Sequence, residues 1–367
     1  MSPTNALLPL VIFVHGLTGA TLWDSGGPKP RQVWPSRSSA DLAKIELDPA
    51  DPSRARDPTA DIRVYDPVAG VYSPILLALR ALVPELREFV YDWRVDIRVS
   101  AQQLADFIMS LRSKRSEGDG QRPDSVVLIG HSMGGLVIKW CVTHFPDHVG
   151  PLKRIITIGT PYRGSMQVVE GLMLSPKNPL IWHVLNQRRL RIAQRTMPSV
   201  YQMIPRWPAA AVSTNDRGEN PGLDLFDPAN WPTTFLDQLS RTFSREYVPR
   251  VLQQAREVSD TLAQPYPQHI ADRLCIAVGE GTPTPRQIIV DTGPGGNRFH
   301  LHALRRDRLG DGIVHQCSAR IPAAETHVAR RHTKDRFRLL GQHVGMIKNR
   351  AMIEWILNKV RETASSA

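Results

Sequence analysis

Short apolar runs recur along the chain and alternate with stretches of helical periodicity. LPLVIFV (8–14), IRVYD (62–66), REFVYD (87–92), SVVLIG (125–130), RIITIGT (154–160) and RLCIAVGE (273–280) have the length and β-branched content of strands. Most are apolar at nearly every position, as parallel strands covered on both faces must be. Between them, Ser73-Pro74 predicts an N-cap with proline at the first helical position, opening ILLALRALV. Ser100 with Gln103 reads as a capping box before LADFIMSLR, where Leu104, Ile108 and Leu111 share a face. MIKNRAMIEWILNKV sets Ile353, Ile356, Leu357 and Val360 at helical spacing. The alternation predicts an α/β protein with a doubly wound, mostly parallel sheet.

From about 165 to 270 the rhythm breaks. LSPKNPLIWHVL, MPSVYQMIPRWP and NPGLDLFDPANWP are rich in proline and carry Trp182, Trp207 and Trp231, and REYVPRVLQQAREVSDTLA reads as a helix. The stretch is too long and too aromatic for a connecting loop. The expected organisation is a core of residues 1–165 and 271–367 with a cap or lid insertion at 166–270.

Composition changes this picture little. Hydrophobic residues make up 41% and charged residues 22%, as in a soluble globular protein. The net charge is +11, with Arg outnumbering Lys about four to one. That balance suits an anionic partner such as a phospholipid surface, or it is simply an Arg-rich, unspecialised surface. Cys141, Cys275 and Cys317 are far apart in apolar runs, which predicts buried thiols and no metal site. ALLPLVIFV lacks the basic start and cleavage site of a secretory leader and reads as a first buried strand. No run approaches the ~20 apolar residues of a spanning helix, and a cytoplasmic location is expected, with membrane association or export without a leader as the alternatives. DTGPGGN (291–297) lacks the Lys-Ser/Thr and helix of a phosphate loop, HVARRH has the wrong spacing for zinc, and the basic residues are scattered. Neither a cofactor nor nucleic acid is expected.

The chemistry is concentrated in SVVLIGHSMGGLVIKW. An apolar strand runs into Gly130-His131-Ser132-Met133-Gly134 and then into a helix, the strand-turn-helix context of a nucleophile elbow. Glycines are required there because a Cβ two residues from the strained serine would collide with the neighbouring strand or helix. Serine needs a base and an orienting acid. In hydrolases with this elbow they follow in the order Ser, Asp, His. LGDGIVHQCSA offers Asp311 between glycines after the last predicted core strand, and LLGQHVGMIKN offers His343 in a loop before the final helix. Asp291 and Asp307 read more easily as turn residues. His315, His327 and His332 do not stand at the mouth of that helix, and His300 and His302 alternate along a hairpin. His131 adjoins the nucleophile but points away from the turn, so a structural role is expected. For the oxyanion, the N–H of Met133 and that of Leu17, in VHGLTG after the first strand, are the candidates.

With these residues placed, the chain resembles the lecithin:cholesterol acyltransferase and phospholipase family of α/β-hydrolases. The blocks VIFVHGLTGATLW, YDWR, LIGHSMGG, IITIGTPYRGS, PSVYQMIP, GEGTPTP, GDGIV and QHVGMIKN carry the resemblance in that order, over roughly residues 8–165 and 272–350. It implies an α/β-hydrolase fold, Ser132 as nucleophile, Asp311 as acid, His343 as base, and Leu17 beside Met133 at the oxyanion hole. It implies a lipid or ester substrate, with Trp23, Trp93, Tyr162, Trp182 and Trp207 as candidate substrate-binding residues. His-Gly replaces the Pro-Gly of the animal members, and no Cys pair matches their lid disulfide, so sterol acceptance is not implied. A serine-dependent lipid acyl hydrolase, or acyltransferase, in peripheral contact with anionic membrane is the leading expectation. A thioesterase or small-ester hydrolase with the same triad, and a partner-gated effector or binding module, are the alternatives. Tyr91 to Arg94 (YDWR) is expected to be structural, with Asp92 paired to Arg94 or the cap, or else to line the pocket.

Overall fold

The structure, a computed structural model, describes the backbone of residues 9–116, 125–173, 187–214, 222–293, 295–300, 304–322, 324–330 and 341–364. Side chains are described as well, except those of 114–116, 187, 188 and 341. The strands along the chain are β1 (Leu10–Val14), β2 (Ala20–Asp24), β3 (Arg31–Trp34), β4 (Ile62–Pro67), β5 (Arg87–Phe89), β6 (Val126–His131), β7 (Leu152–Ile158), β8 (Ala211–Ser213), β9 (Leu274–Glu280), β10 (Thr284–Asp291), β11 (Arg298–Phe299), β12 (Arg305–Asp307) and β13 (Glu325–Arg330). Six of them form a parallel sheet in the order β13-β9-β7-β6-β1-β5. The chain leaves β1 for the β5 edge, returns to β6 on the other side of β1, and then steps outward. The loops after β1 and β6 therefore diverge, which makes their C-terminal ends the switch point where such sheets bind ligands.

Alternate residues of each strand supply two cores. Leu10, Ile12 and Val14 join Val126 and Leu128 against helices Ile97–Ser116 and Met133–His144, through Leu104, Ile108, Val137 and Cys141. Val11, Phe13, Val127 and Ile129 face helices Ala69–Leu82 and Arg350–Ala364, through Ile75, Leu79, Ile356 and Val360. At about 1.5–3 kcal/mol for each fully buried aliphatic side chain, these layers fix the sheet. This is a doubly wound, parallel α/β sheet, as the alternation predicts.

Four details differ from the sequence reading. IRVYD is a strand, but β4 pairs antiparallel with β2 in a separate sheet ordered β3-β2-β4. Its half-buried alternation is the mark of an antiparallel strand with one wet face. The sixth central strand is β13, whose polar sequence ETHVAR hid it. The helix assigned to Ser73-Pro74 starts at Ala69, and the Ser73 hydroxyl donates to the Ala69 carbonyl. Pro74 is tolerated inside because the carbonyl it cannot serve, that of Gly70, accepts from Lys348 Nζ at 2.6 Å. The next helix starts at Ile97, with Asp96 accepting from the Arg98 N–H at 2.8 Å, so Asp96 takes the capping place expected of Ser100.

Residues 166–270 hold helices Met166–Met173, Gln187–Gln194, Pro198–Tyr201, Thr233–Thr242 and Tyr247–Ala263, with β8 pairing parallel to β10. Lys139, buried on the helix after β6, donates to the carbonyls of Leu262 (2.7 Å) and Gln264 (2.6 Å) at the end of the last of these helices. Burial, with Arg163 nearby, lowers its pKa to about 8. Among the described residues no helix is long and apolar enough to cross a membrane, and the three cysteines are free, two of them buried.

Candidate active site

β6 ends in a turn that forces Ser132 to φ 54° and ψ −128°, a conformation costing a non-glycine residue about 1–3 kcal/mol. The turn is held by the Ser132 N–H donating to Ile158 O (2.8 Å) and by the Ser132 carbonyl accepting from Gly135 N (3.0 Å) and Thr160 Oγ1 (3.0 Å). A Cβ at Gly134 would stand 2.4 Å from the Val14 carbonyl, so the elbow closes against β1 only with glycine there. The β1 loop is equally close on the other side. A Cβ at Gly16 would lie 2.7 Å from Ser132 Cβ and 3.3 Å from its Oγ. The loop therefore passes beside the half-buried serine, with Leu17 next in line and Thr18 at φ 60°. Met133 opens its helix, where no preceding turn can accept its N–H.

His343 and Asp311 meet at the same edge. His343 Nδ1 lies 2.7 Å from Asp311 Oδ2, and the His343 N–H donates to the Asp311 carbonyl at 3.1 Å. The other carboxylate oxygen accepts from the N–H groups of Ile313 (2.9 Å) and Val314 (2.7 Å). Both residues are buried. His343 sits in a short helix, Gly341–Met346, and not in the loop expected from the sequence. Its ring covers Gly159, where a Cβ would be 2.9 Å from His343 Cε1, one residue past the strand end that holds Ser132. The structure thus gathers Ser132, Met133, Leu17, Asp311 and His343 at one end of the sheet. Asp307 is instead paired with His315 at 2.8 Å, and His327 stacks on Trp355. Among the described residues no group of three or more His, Cys, Asp or Glu is set to hold a metal ion.

The aromatic candidates are dispersed. Trp93 is fully buried, donates to the Ala20 carbonyl (3.0 Å) and packs edge-on to Trp34. Trp207 is buried and donates to the Arg286 carbonyl (3.1 Å). Tyr162 bonds Thr157 Oγ1 (2.9 Å), and burial pushes its pKa up to about 12. Trp23 is half-buried, edge-on to Tyr65, and Trp182 lies outside the described residues. Within YDWR, Asp92 forks onto Arg94 at 2.6 Å, and Arg94 reaches the Ile45 carbonyl. Tyr91 Oη donates to the His15 carbonyl (2.8 Å), while Ser199 Oγ donates to the Trp93 carbonyl (2.7 Å). The tetrapeptide ties the β1 loop to the helix Pro198–Tyr201.

Sequence reasoning passed over His15. It stacks on Tyr91 at 4.3 Å, donates from Nδ1 to Gly16 O (2.9 Å) and accepts the Tyr91 N–H at Nε2 (3.3 Å). Both nitrogens are used by the neutral ring, and burial lowers its pKa from 6.5 to about 4. An unfolded chain would take up this proton below about 6.5 while the folded one refuses it until about 4. Stability should therefore fall with pH across that window, by about 3 kcal/mol from His15 alone. Urea midpoints measured from pH 7 to 4 would test this, and a flat profile would refute it.

Residues 84–254 match the family profile described as lecithin:cholesterol acyltransferase. An uncharacterized protein of Saccharomyces cerevisiae is 26% identical over 167 residues, 43% of this chain and 24% of that protein. The chain thus spans only about a quarter of that relative's length. The crystal structure of the Tle4–Tli4 complex aligns at TM-score 0.67 with 14% identity, covering 98% of this chain and 99% of that one. The mature form of Bacillus licheniformis lipase BlEst2 aligns at TM-score 0.38 with 14% identity, over 98% of this chain and 94% of that one. The first of these two structures carries the fold and the profile carries the similarity: the chain has an α/β-hydrolase fold and is similar, over residues 84–254, to the lecithin:cholesterol acyltransferase family.

Proposed function

We propose that this α/β-hydrolase is a serine-dependent lipid acyl hydrolase of lipase or phospholipase A type, able also to pass the acyl group to an acceptor alcohol. The family match supports an ester hydrolase or acyltransferase. The observation that carries the finer reading is the buried Asp311–His343 pair, 2.7 Å apart, at the strand end that holds the strained Ser132. With Nδ1–H donating to Asp311, the His343 Nε2 lone pair can take the Ser132 proton as Oγ attacks an ester carbonyl. The Leu17 and Met133 amides would hold the oxyanion. The alcohol leaves with the proton from His343, and water or a second alcohol then releases the acyl group. Residues 166–270 act as the cap whose apolar side chains take the acyl chain, and the net charge of +11 favours approach to anionic membrane.

The test is a fluorophosphonate probe followed by peptide mass mapping, with a rate profile over p-nitrophenyl esters, acyl thioesters and phospholipid vesicles. Labelling at Ser132 with a preference for long-chain oxygen esters is expected. Labelling elsewhere would sink the reading, and a clear preference for thioesters would transfer it to the thioesterase alternative.

A further inference from the structure

A line of buried polar groups runs beneath the Ser132 turn, from the β1 loop to the backbone of His343. The Gly16 N–H donates to Tyr72 Oη (2.9 Å), Tyr72 Oη lies 3.0 Å from His131 Nδ1, and His131 Nε2 lies 3.4 Å from the His343 carbonyl oxygen. Tyr72 is 1% exposed and His131 3%. Burial first, then the neighbouring His343, holds the His131 pKa well below its usual value, so the ring is neutral and carries one hydrogen. The His343 carbonyl can only accept, which assigns that hydrogen to Nε2. Nδ1 then accepts from the Tyr72 hydroxyl, and the hydroxyl oxygen is left to accept from Gly16. Each donor has one acceptor, and the direction of the whole line is fixed.

The line ends at the Gly16 N–H, in the His15–Gly16 peptide, one peptide before the one that carries the Leu17 N–H. The Gly16 carbonyl accepts from His15 Nδ1 (2.9 Å) and Gly19 N (3.1 Å). The Leu17 N–H lies in the same planar peptide and points the opposite way. Gly19 leaves the space for this, since a Cβ there would stand 2.8 Å from Tyr72 Oη and 2.7 Å from the Gly16 carbonyl oxygen. Building on the proposed acyl transfer, we propose that Tyr72 and His131 are positioning residues that hold the Leu17 N–H at the oxyanion site in register with His343. Neither touches the substrate. They act through the Gly16 N–H and the His343 backbone.

Tyr72→Phe keeps the ring and removes the hydroxyl. It should lower kcat about 10- to 100-fold with KM within twofold, and slow phosphonate labelling of Ser132 by a similar factor. His131→Leu should lose as much. His131→Asn, whose side-chain oxygen stands near the place of Nδ1, should recover most of the rate. Tyr72→Phe combined with His131→Leu should lose little more than either alone. Rates are taken per folded molecule, from circular dichroism below each variant's melting transition. If Tyr72→Phe does not fold, the His131 pair carries the test. A folded Tyr72→Phe with kcat within twofold of the parent, a loss confined to KM, equal losses in Asn and Leu, or a multiplicative double variant would each overturn the inference. Ser132→Ala separates the two levels. If it stays active, the proposed function itself falls; if it is inactive while Tyr72→Phe runs at full rate, only the positioning role falls.

Discussion

Ser132→Ala should leave a folded protein whose turnover of a long-chain ester is reduced on the order of 10⁶-fold. Folding should survive because the backbone holds the turn. The N–H of residue 132 bonds Ile158 and its carbonyl accepts from Gly135 and Thr160, all of which alanine retains. The strained φ of 54° is also unchanged, since alanine pays the same steric cost as serine there. What would be lost is the proposed nucleophile, and with it every step that passes through an acyl-enzyme. The residual rate over water, about 10³–10⁴-fold, would come from binding and the oxyanion donors acting on a water molecule. Thermal melting should move by only a degree or two. A Ser132→Ala preparation keeping more than about 1% of the parent rate would remove Ser132 from the mechanism.

The parts of the fold readable in sequence are those where one physical constraint dominates. β1, β6, most of β9 and the Ile155–Ile158 half of β7 are buried on both faces, so apolar residues dominate and the runs stand out. The elbow is readable because a strained serine beside close backbone crossings excludes anything but glycine around it. β13 is hidden because it lies at the sheet edge under the final helix. There Glu325 pairs with Lys359 and His327 stacks on Trp355 instead of burying aliphatic chains. One helix begins before Ser73-Pro74 because a distant group, Lys348, serves the Gly70 carbonyl, and the next begins before Ser100 because Asp96 offers an earlier cap. Of the candidate site, the residue types and their order were legible, but the Tyr72–His131 bond joins positions 59 apart that no spacing rule connects. YDWR is conspicuous in sequence for a packing reason: a buried Arg94 needs Asp92, while Tyr91 and the Trp93 and Arg94 carbonyls join the β1 loop to Ser199.

Asp311→Asn should lower kcat about 10⁴-fold with KM nearly unchanged, although it replaces one oxygen by an amide. The direction follows from the hydrogen bonds around the group. Oδ1 accepts from the Ile313 and Val314 N–H groups, at 2.9 and 2.7 Å, and can be replaced only by another acceptor. The asparagine oxygen must therefore take that position, since turning the amide over would oppose two N–H donors with a third. Its NH₂ then occupies the place of Oδ2, facing His343 Nδ1 across the former 2.7 Å bond. An N–H donor there requires Nδ1 to accept, so the ring's hydrogen moves to Nε2. In that tautomer His343 has no lone pair for the Ser132 proton, and attack on the ester stalls. An ester substrate should still bind, because Asp311 is fully buried beside His343 and offers nothing to it. Phosphonate labelling of Ser132 should slow in parallel with kcat. Asp307→Asn is the control, because Asp307 holds His315 and should leave the rate within a few-fold of the parent. A loss below 10-fold in Asp311→Asn, or a larger one in Asp307→Asn, would assign the orienting carboxylate elsewhere.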